Sequence, residues 1–132
     1  MRLNIITLFM FLLFSVVFAQ TIFFEYSATP STNQVVVNWK TSSETNVENF
    51  VILRSSDDNV FIEIGSAQAK GVGTEYKFVD ENVIFKGSNT FFYKIKAVKS
   101  NGVLIEETQS LMVNPNISGI FRTWGAIKAM FR

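Results

Sequence analysis

The sequence predicts an all-β protein: an antiparallel sandwich of seven short strands, followed by a short amphipathic helix at the C-terminus. Three observations lead to this prediction. Apolar residues alternate with period two through most of the chain, which is the pattern of strands with one buried face. Turn residues interrupt the pattern about every ten residues, as they do in sandwiches. Helical periodicity is absent until residue 120.

Residues 1–19 are predicted to be a signal peptide. Arg2 supplies a positive charge, and residues 5–18 form a nearly continuous apolar run. This run is shorter than the ~20 residues that a membrane-spanning helix needs, and Ala19 fits the small residue that signal peptidase requires. We therefore expect cleavage before Gln20, with a retained membrane anchor as the alternative. The expected location is secreted or cell-envelope associated, in the periplasm or at the cell surface.

The composition excludes several function classes. The chain has no Cys and no His, so an exported fold must be held by its core alone. The missing imidazole and thiolate groups exclude Ser-His-Asp triads, thiol nucleophiles and ordinary zinc or copper sites. We expect a protein that is not an enzyme, with no catalytic residue, cofactor or metal. Removal of Arg2 leaves 11 basic and 11 acidic residues, so no attraction to nucleic acid is expected.

The strand pattern divides the domain into seven segments. Val35, Val37 and Trp39 alternate with polar neighbours and are expected on the inner face of the second strand. Residues 50–54 are apolar on both faces, which predicts a central strand. The predicted strands cover residues 22–29, 35–40, 50–54, 60–64, 76–80, 91–98 and 104–113.

Two hairpin turns can be identified. The polar residues 56–59 separate two apolar runs, which predicts a hairpin between the third and fourth strands. Asn101-Gly102 separates the last two strands. This dipeptide favours a tight turn in which both residues have positive φ.

Parts of the chain resemble the fibronectin type III family. Residues 35–39 (VVVNW) and 91–98 (FFYKIKAV), with the Asn-Gly turn that follows, resemble its second and late strands. Residues 41–65 resemble a subgroup found in secreted and surface proteins of Bacteroidetes-type bacteria. The resemblance implies a fibronectin type III-like, immunoglobulin-like sandwich over residues 20–113, with Trp39 and Tyr93 in the core. It also implies a scaffold, spacer or binding module.

Charged residues are interpreted mainly as structural. Glu44 and Arg54 flank the connection between the second and third strands, so we expect an ion pair between them; an arginine that contacts a ligand is the alternative. Asp57-Asp58 and Asp80-Glu81 are typical of turns, and a loop calcium site is the alternative for either pair. Glu106 and Glu107 are neighbours on a strand, so their side chains are expected on opposite faces.

The C-terminal tail, residues 120–132, has a different pattern. Residues 114–119 are predicted to be a linker, because Pro115 and Gly119 bracket them. In the tail, apolar residues recur at i, i+4, i+7 and i+11, which is one stripe of a helix. Three basic residues accompany this stripe, and none of the 11 acidic residues lies in the tail. A helix of this length is marginal alone in water, so we expect it to contact its own domain, a membrane surface or a partner.

The function expected from the sequence is that of an exported, non-enzymatic interaction or structural module at the bacterial cell envelope. Its tail would contact a protein partner or a membrane surface through Ile120, Arg122, Trp124, Ile127, Lys128 and Phe131. The alternative is a small carbohydrate-binding module, for which Phe23 and Phe92 are the outward-facing candidates. An enzyme that uses carboxylates alone is a third hypothesis.

Overall fold

The computed structural model describes residues 21–85, 88–119, 123, 127, 128, 130 and 131. The predicted signal peptide lies outside the described residues. Eight strands and one 3-10 helix, Asn82–Phe85, are found over the described part of the chain. The strands are β1 (Phe23–Ser31), β2 (Gln34–Thr41), β3 (Asn49–Ser55), β4 (Ile62–Gln68), β5 (Tyr76–Asp80), β6 (Phe91–Val98), β7 (Leu104–Glu107) and β8 (Leu111–Val113).

The strands form two antiparallel sheets. The three-stranded sheet has the order β1-β2-β5, and the five-stranded sheet has the order β4-β3-β6-β7, with β8 also paired to β6. The predicted all-β, two-sheet class is therefore confirmed. The core lies between the sheets, because alternate residues of β2 and β6 point inward. These include Val35, Val37, Trp39, Tyr93 and Ile95, all of which are at most 1% exposed.

The first strand does not follow the simple alternation that the sequence suggests. A register shift lies between Phe23, which pairs with Thr41, and Glu25, which pairs with Lys40. Such a bulge places two consecutive residues, here the exposed Phe24 and Glu25, on one side of the strand. Phe23 therefore lies in the core, whereas Phe24 is 70% exposed. The expectation that Phe23 faces outward is wrong for this reason.

The predicted last strand is divided, which explains why eight strands are found and seven were expected. Between β7 and β8, Thr108 is buried. Its hydroxyl accepts a hydrogen bond from the backbone N–H of Ile95 at 3.0 Å, and its own N–H donates to the Ile95 carbonyl at 2.9 Å. A side-chain oxygen thus replaces one bond of the regular ladder, and the pairing ends there.

The ends of the sandwich form two poles. The tail-side pole contains the β1–β2 turn, the β3–β4 turn and the start of β6. The buried contact between Arg54 at the end of β3 and Asp80 at the end of β5 shows that these ends of the two sheets coincide. The opposite pole contains the β2–β3, β4–β5 and β6–β7 connections, together with Thr21, whose carbonyl accepts a bond from the Ser42 hydroxyl at 2.6 Å.

Candidate functional site

The segment before the tail is held at the tail-side pole by the bonds of Asn33 to Asn116 and Ser118, which we name the clamp. Asn33, in the β1–β2 turn, has a φ of 63°, a left-handed conformation that Asn tolerates well. Its N–H donates to the Asn116 carbonyl at 2.8 Å, and its side-chain oxygen accepts from the N–H of Ser118 at 2.7 Å. Pro115 is buried, and Ile117 packs against the core. The predicted linker is thus packed on the domain as far as Ser118.

The described residues of the tail expose apolar side chains. Ile127 is 39% exposed, Met130 82% and Phe131 86%, and Lys128 is also exposed. Ile120, Arg122 and Trp124 lie outside the described residues. The described residues Gly119, Thr123, Ile127, Lys128 and Met130 have α-helical backbone. No α-helix with defined bounds is found among the described residues, so the predicted C-terminal helix is not delimited there. The hydroxyl of Thr123 donates to the carbonyl of Gly119 at 2.8 Å.

The β3–β4 turn folds back over the five-stranded sheet and presents both acidic and apolar groups. The Asp57 carboxylate accepts bonds from the N–H groups of Asn59 and Val60, both at 2.9 Å. These bonds, the one from Val60 first, lower the pKa of Asp57. Asp58 has a φ of 59° and accepts a bond from the hydroxyl of Ser110. Asp57 thus stabilises its own turn, whereas Asp58 joins the turn to the residue before β8.

The structure contradicts the predicted ion pair between Glu44 and Arg54. Arg54 is buried and binds Asp80, with its Nη1 at 2.9 Å and 2.7 Å from the two carboxylate oxygens. The hydroxyl of Tyr93 donates to the same carboxylate at 2.8 Å. Burial, followed by the hydrogen bond to Asp80, raises the pKa of Tyr93. The sequence contained a signal for the Arg54–Asp80 pair, because both residues occupy inward positions of their strands.

Glu44 has a different structural role at the opposite pole. Its Oε1 accepts bonds from the hydroxyls of Thr41 and Tyr76, both at 2.7 Å. Its Oε2 accepts a bond from the N–H of Gly71 at 2.7 Å. Burial and then Glu44 raise the pKa of Tyr76. Glu44 therefore ties the β2–β3 connection to the β4–β5 connection, and Arg54 takes no part.

The two carboxylates of β7 also bind elements of the fold. Glu106 Oε2 accepts bonds from the N–H groups of Ile22 and Phe23, at 3.0 Å and 3.1 Å. Glu107 lies 2.9 Å from the Lys94 amine. Their different partners agree with side chains on opposite faces of β7. Over the described part of the chain, no group of three or more acidic side chains is placed to hold a metal ion.

A shallow cavity lies on the three-stranded sheet. Its volume is about 430 Å³, and residues of β1, β2 and β5 line it together with Glu75. Lys40 lies 2.9 Å from Glu75 and 3.6 Å from Glu25, and the hydrogen bond to Glu75 raises the pKa of Lys40. The ring pairs found among the described residues lie in or against the core, for example Trp39 stacked on Tyr76 at 5.1 Å. No described aromatic pair therefore offers an exposed platform for a sugar.

Known proteins resemble this chain in fold. No protein-family model and no curated protein sequence matches it. The crystal structure of an Fn3-like protein from Clostridium thermocellum superposes with a TM-score of 0.53 and 17% sequence identity, over 74% of this chain and 94% of the other. The β-1,2-glucanase from Parabacteroides distasonis gives a TM-score of 0.48 and 13% identity, over 74% of this chain and 14% of the enzyme.

The likeness to the Clostridium thermocellum protein shows the class of this fold. The chain has a fibronectin type III-like β-sandwich, as the resemblance of residues 35–39 and 91–98 implied. Within the described residues, no helix is long and apolar enough to cross a membrane.

Proposed function

We propose that this chain is an exported, non-enzymatic interaction module of the bacterial cell envelope, and that its C-terminal tail makes the functional contact. The observation that carries the proposal is the exposure of Met130 and Phe131 beyond a sandwich that is already closed. These two side chains are neighbours in the tail, and a contiguous exposed apolar patch, unlike a single exposed apolar side chain, is typical of an interaction site.

The sandwich supplies a rigid attachment point for this tail. Its core is filled by the inward side chains of both sheets, and the buried Arg54–Asp80 pair joins the sheets at the tail-side pole. The clamp on Ser118 then sets the place from which the tail leaves. A binding segment that leaves a folded domain at a fixed point loses less conformational entropy when it binds than one at the end of a long flexible linker.

The proposal that the module is non-enzymatic rests on residue chemistry. The sequence contains no imidazole or thiol, and the carboxylates of Glu44, Asp57 and Glu106 bind backbone N–H groups of the fold. Export rests on the predicted signal peptide. An envelope location follows from combining export with an apolar, basic tail.

Fractionation of cells tests this proposal. The precursor 1–132 and its truncation 1–118 are expressed in a bacterial host with a cell envelope. We expect the intact protein in the envelope fraction and the truncated one in the soluble exported fraction. Trp124→Ala with Phe131→Ala should behave like the truncation, because these two side chains supply much of the apolar stripe. Identical distribution of all three proteins would overturn the proposal.

Lipid vesicles distinguish a membrane surface from a protein partner. Residues 20–132 are mixed with vesicles of phosphatidylglycerol and phosphatidylethanolamine, beside Arg122→Glu with Lys128→Glu. If the membrane is the surface, the charge reversal should release the protein, since interfacial helices depend on cationic residues. If a protein groove is the surface, neither protein should sediment with the vesicles.

A further inference from the structure

The β3–β4 turn and β8 carry the residues of a surface that we name the acidic patch: Asp57, Asp58, Val60 and Met112. The hydrogen bond between Asp58 and Ser110 joins the turn to the start of β8. Val60 is 65% exposed and Met112 66%. Lys94, a neighbouring cation, lies 2.9 Å from Glu107 and 4.5 Å from the Phe61 ring centre. The patch therefore combines exposed apolar groups with two carboxylates.

The tail has the complementary chemistry. Its apolar stripe is accompanied by Arg122, Lys128 and Arg132, and it contains no acidic residue. The acidic patch, with its carboxylates, matches the apolar stripe of the tail, with its flanking cations. Opposite charges steer two surfaces together and fix how they are aligned. The exposure of Met130 and Phe131 shows that these two side chains do not lie on the patch of their own chain.

We propose that the tail of one chain docks on the acidic patch of a second copy. This inference rests on the proposed function and names the partner of the tail. The clamp at Ser118 and the β3–β4 turn lie at the same pole. Two copies that meet with these poles facing can exchange tails in both directions about a two-fold axis. The exchange closes on itself, so it produces a dimer and not a filament.

Sedimentation velocity of residues 20–132 tests the inference, with measurements from about 1 to about 100 µM. We expect a concentration-dependent dimer. Truncation after Ser118 should weaken dimerisation tenfold or more, and so should Val60→Lys with Met112→Lys. The matched control is Val72→Lys with Val103→Lys. These valines are comparably exposed, at 60% and 52%, but lie at the opposite pole, so the control should dimerise like the unchanged chain.

A mixing experiment tests the direction of the contact. The truncated chain retains the patch, and the Val60→Lys, Met112→Lys chain retains the tail. We expect neither to dimerise alone, and the mixture to form a one-to-one pair that is weaker than the intact dimer, because one of its two contacts remains. Circular dichroism of each variant confirms that it is folded.

Each other result contradicts the inference. A dimer that survives truncation would place the interface elsewhere, and a mixture that stays monomeric would exclude the tail-to-patch contact. A chain that is monomeric at every concentration would show that no second copy binds. If that monomer still requires its tail to reach the envelope fraction, the proposed function stands and the second-copy inference alone fails.

Discussion

At the scale of single residues, the most informative group is the buried cluster of Arg54, Asp80 and Tyr93. A buried ion pair contributes little net stability compared with apolar side chains, since both charges lose their hydration. Removing one partner is costly, however, because the other charge remains buried. Asp80 accepts bonds from Arg54, from Tyr93 and from the backbone N–H of Asn82 at 3.1 Å. The cluster therefore fixes how the ends of β3, β5 and β6 meet.

Asp80→Asn should destabilise the domain strongly. The neutral amide leaves the Arg54 guanidinium buried without its counter-charge, which typically costs about 3–5 kcal/mol. Glu44→Gln is the matched control: it also removes one charge from a hydrogen-bonded carboxylate, but at a partly exposed site, so a cost of about 1 kcal/mol is expected. Urea unfolding measures both. Equal losses would show that the buried pair is not special.

Tyr93 should make the fold sensitive to alkaline pH. Its pKa is raised in the folded state. Its contribution to the free energy of unfolding is therefore complete below a pH of about 10, the pKa of tyrosine in an unfolded chain, and is lost as the pH rises above that value. Tyr93→Phe should reduce the slope of unfolding free energy against pH above 10 by about 1.4 kcal/mol per pH unit. Urea unfolding at several alkaline pH values measures the slope. An unchanged slope would indicate that Tyr93 ionises normally.

Single residues also show where prediction from sequence was limited. The inward positions of Trp39 and Tyr93 follow from period-two alternation, and both lie in the core. The partner of Arg54 was missed because proximity in sequence favoured Glu44. The true partner, Asp80, is 26 residues away, and only the pairing of inward charges across two sheets indicates it.

At the scale of elements, alternation placed the strands well and their irregularities poorly. The strand predicted at residues 76–80 is β5, and that at 91–98 is β6. The Asn101-Gly102 turn is looser than expected: Gly102 has a φ of 79°, whereas Asn101 has no positive φ, and its side chain accepts a bond from the N–H of Val103 at 3.1 Å. Bulges and side-chain bonds of this kind leave no periodic signal in a sequence.

Gly65→Ala should test the packing of β4 on β5. A Cβ atom at this position would lie 2.7 Å from Cζ of Phe78, so the ring must move. Such overpacking typically costs about 1–3 kcal/mol. Phe78→Leu in the same chain should recover part of the loss, whereas Gly119→Ala, where no atom lies within 4 Å, should cost little. Thermal unfolding is the measurement, and an unchanged Tm for Gly65→Ala would show that the two strands do not pack closely.

At the scale of the whole molecule, the two poles of the sandwich have different roles. The opposite pole holds the first described residues, through the bond between Ser42 and Thr21 and the bonds from Glu106. The tail-side pole holds the clamp and the acidic patch. The sequence predicted the fold class and the unusual chemistry of the tail. It could not predict the patch, because the turn is joined to the start of β8 by Asp58 and Ser110, which are 52 residues apart in the sequence.

The central claim is that the sandwich is complete at Ser118 and that the tail serves contacts alone. Thermal unfolding of residues 20–132 and of residues 20–118, both at a concentration where the intact chain is monomeric, tests it most directly. We predict the same Tm within about 2 °C, since a loss of 1 kcal/mol would lower it by about 4–8 °C in a domain of this size. A truncated chain that unfolds, or that melts more than about 8 °C lower, would show that the tail belongs to the core and would contradict the account.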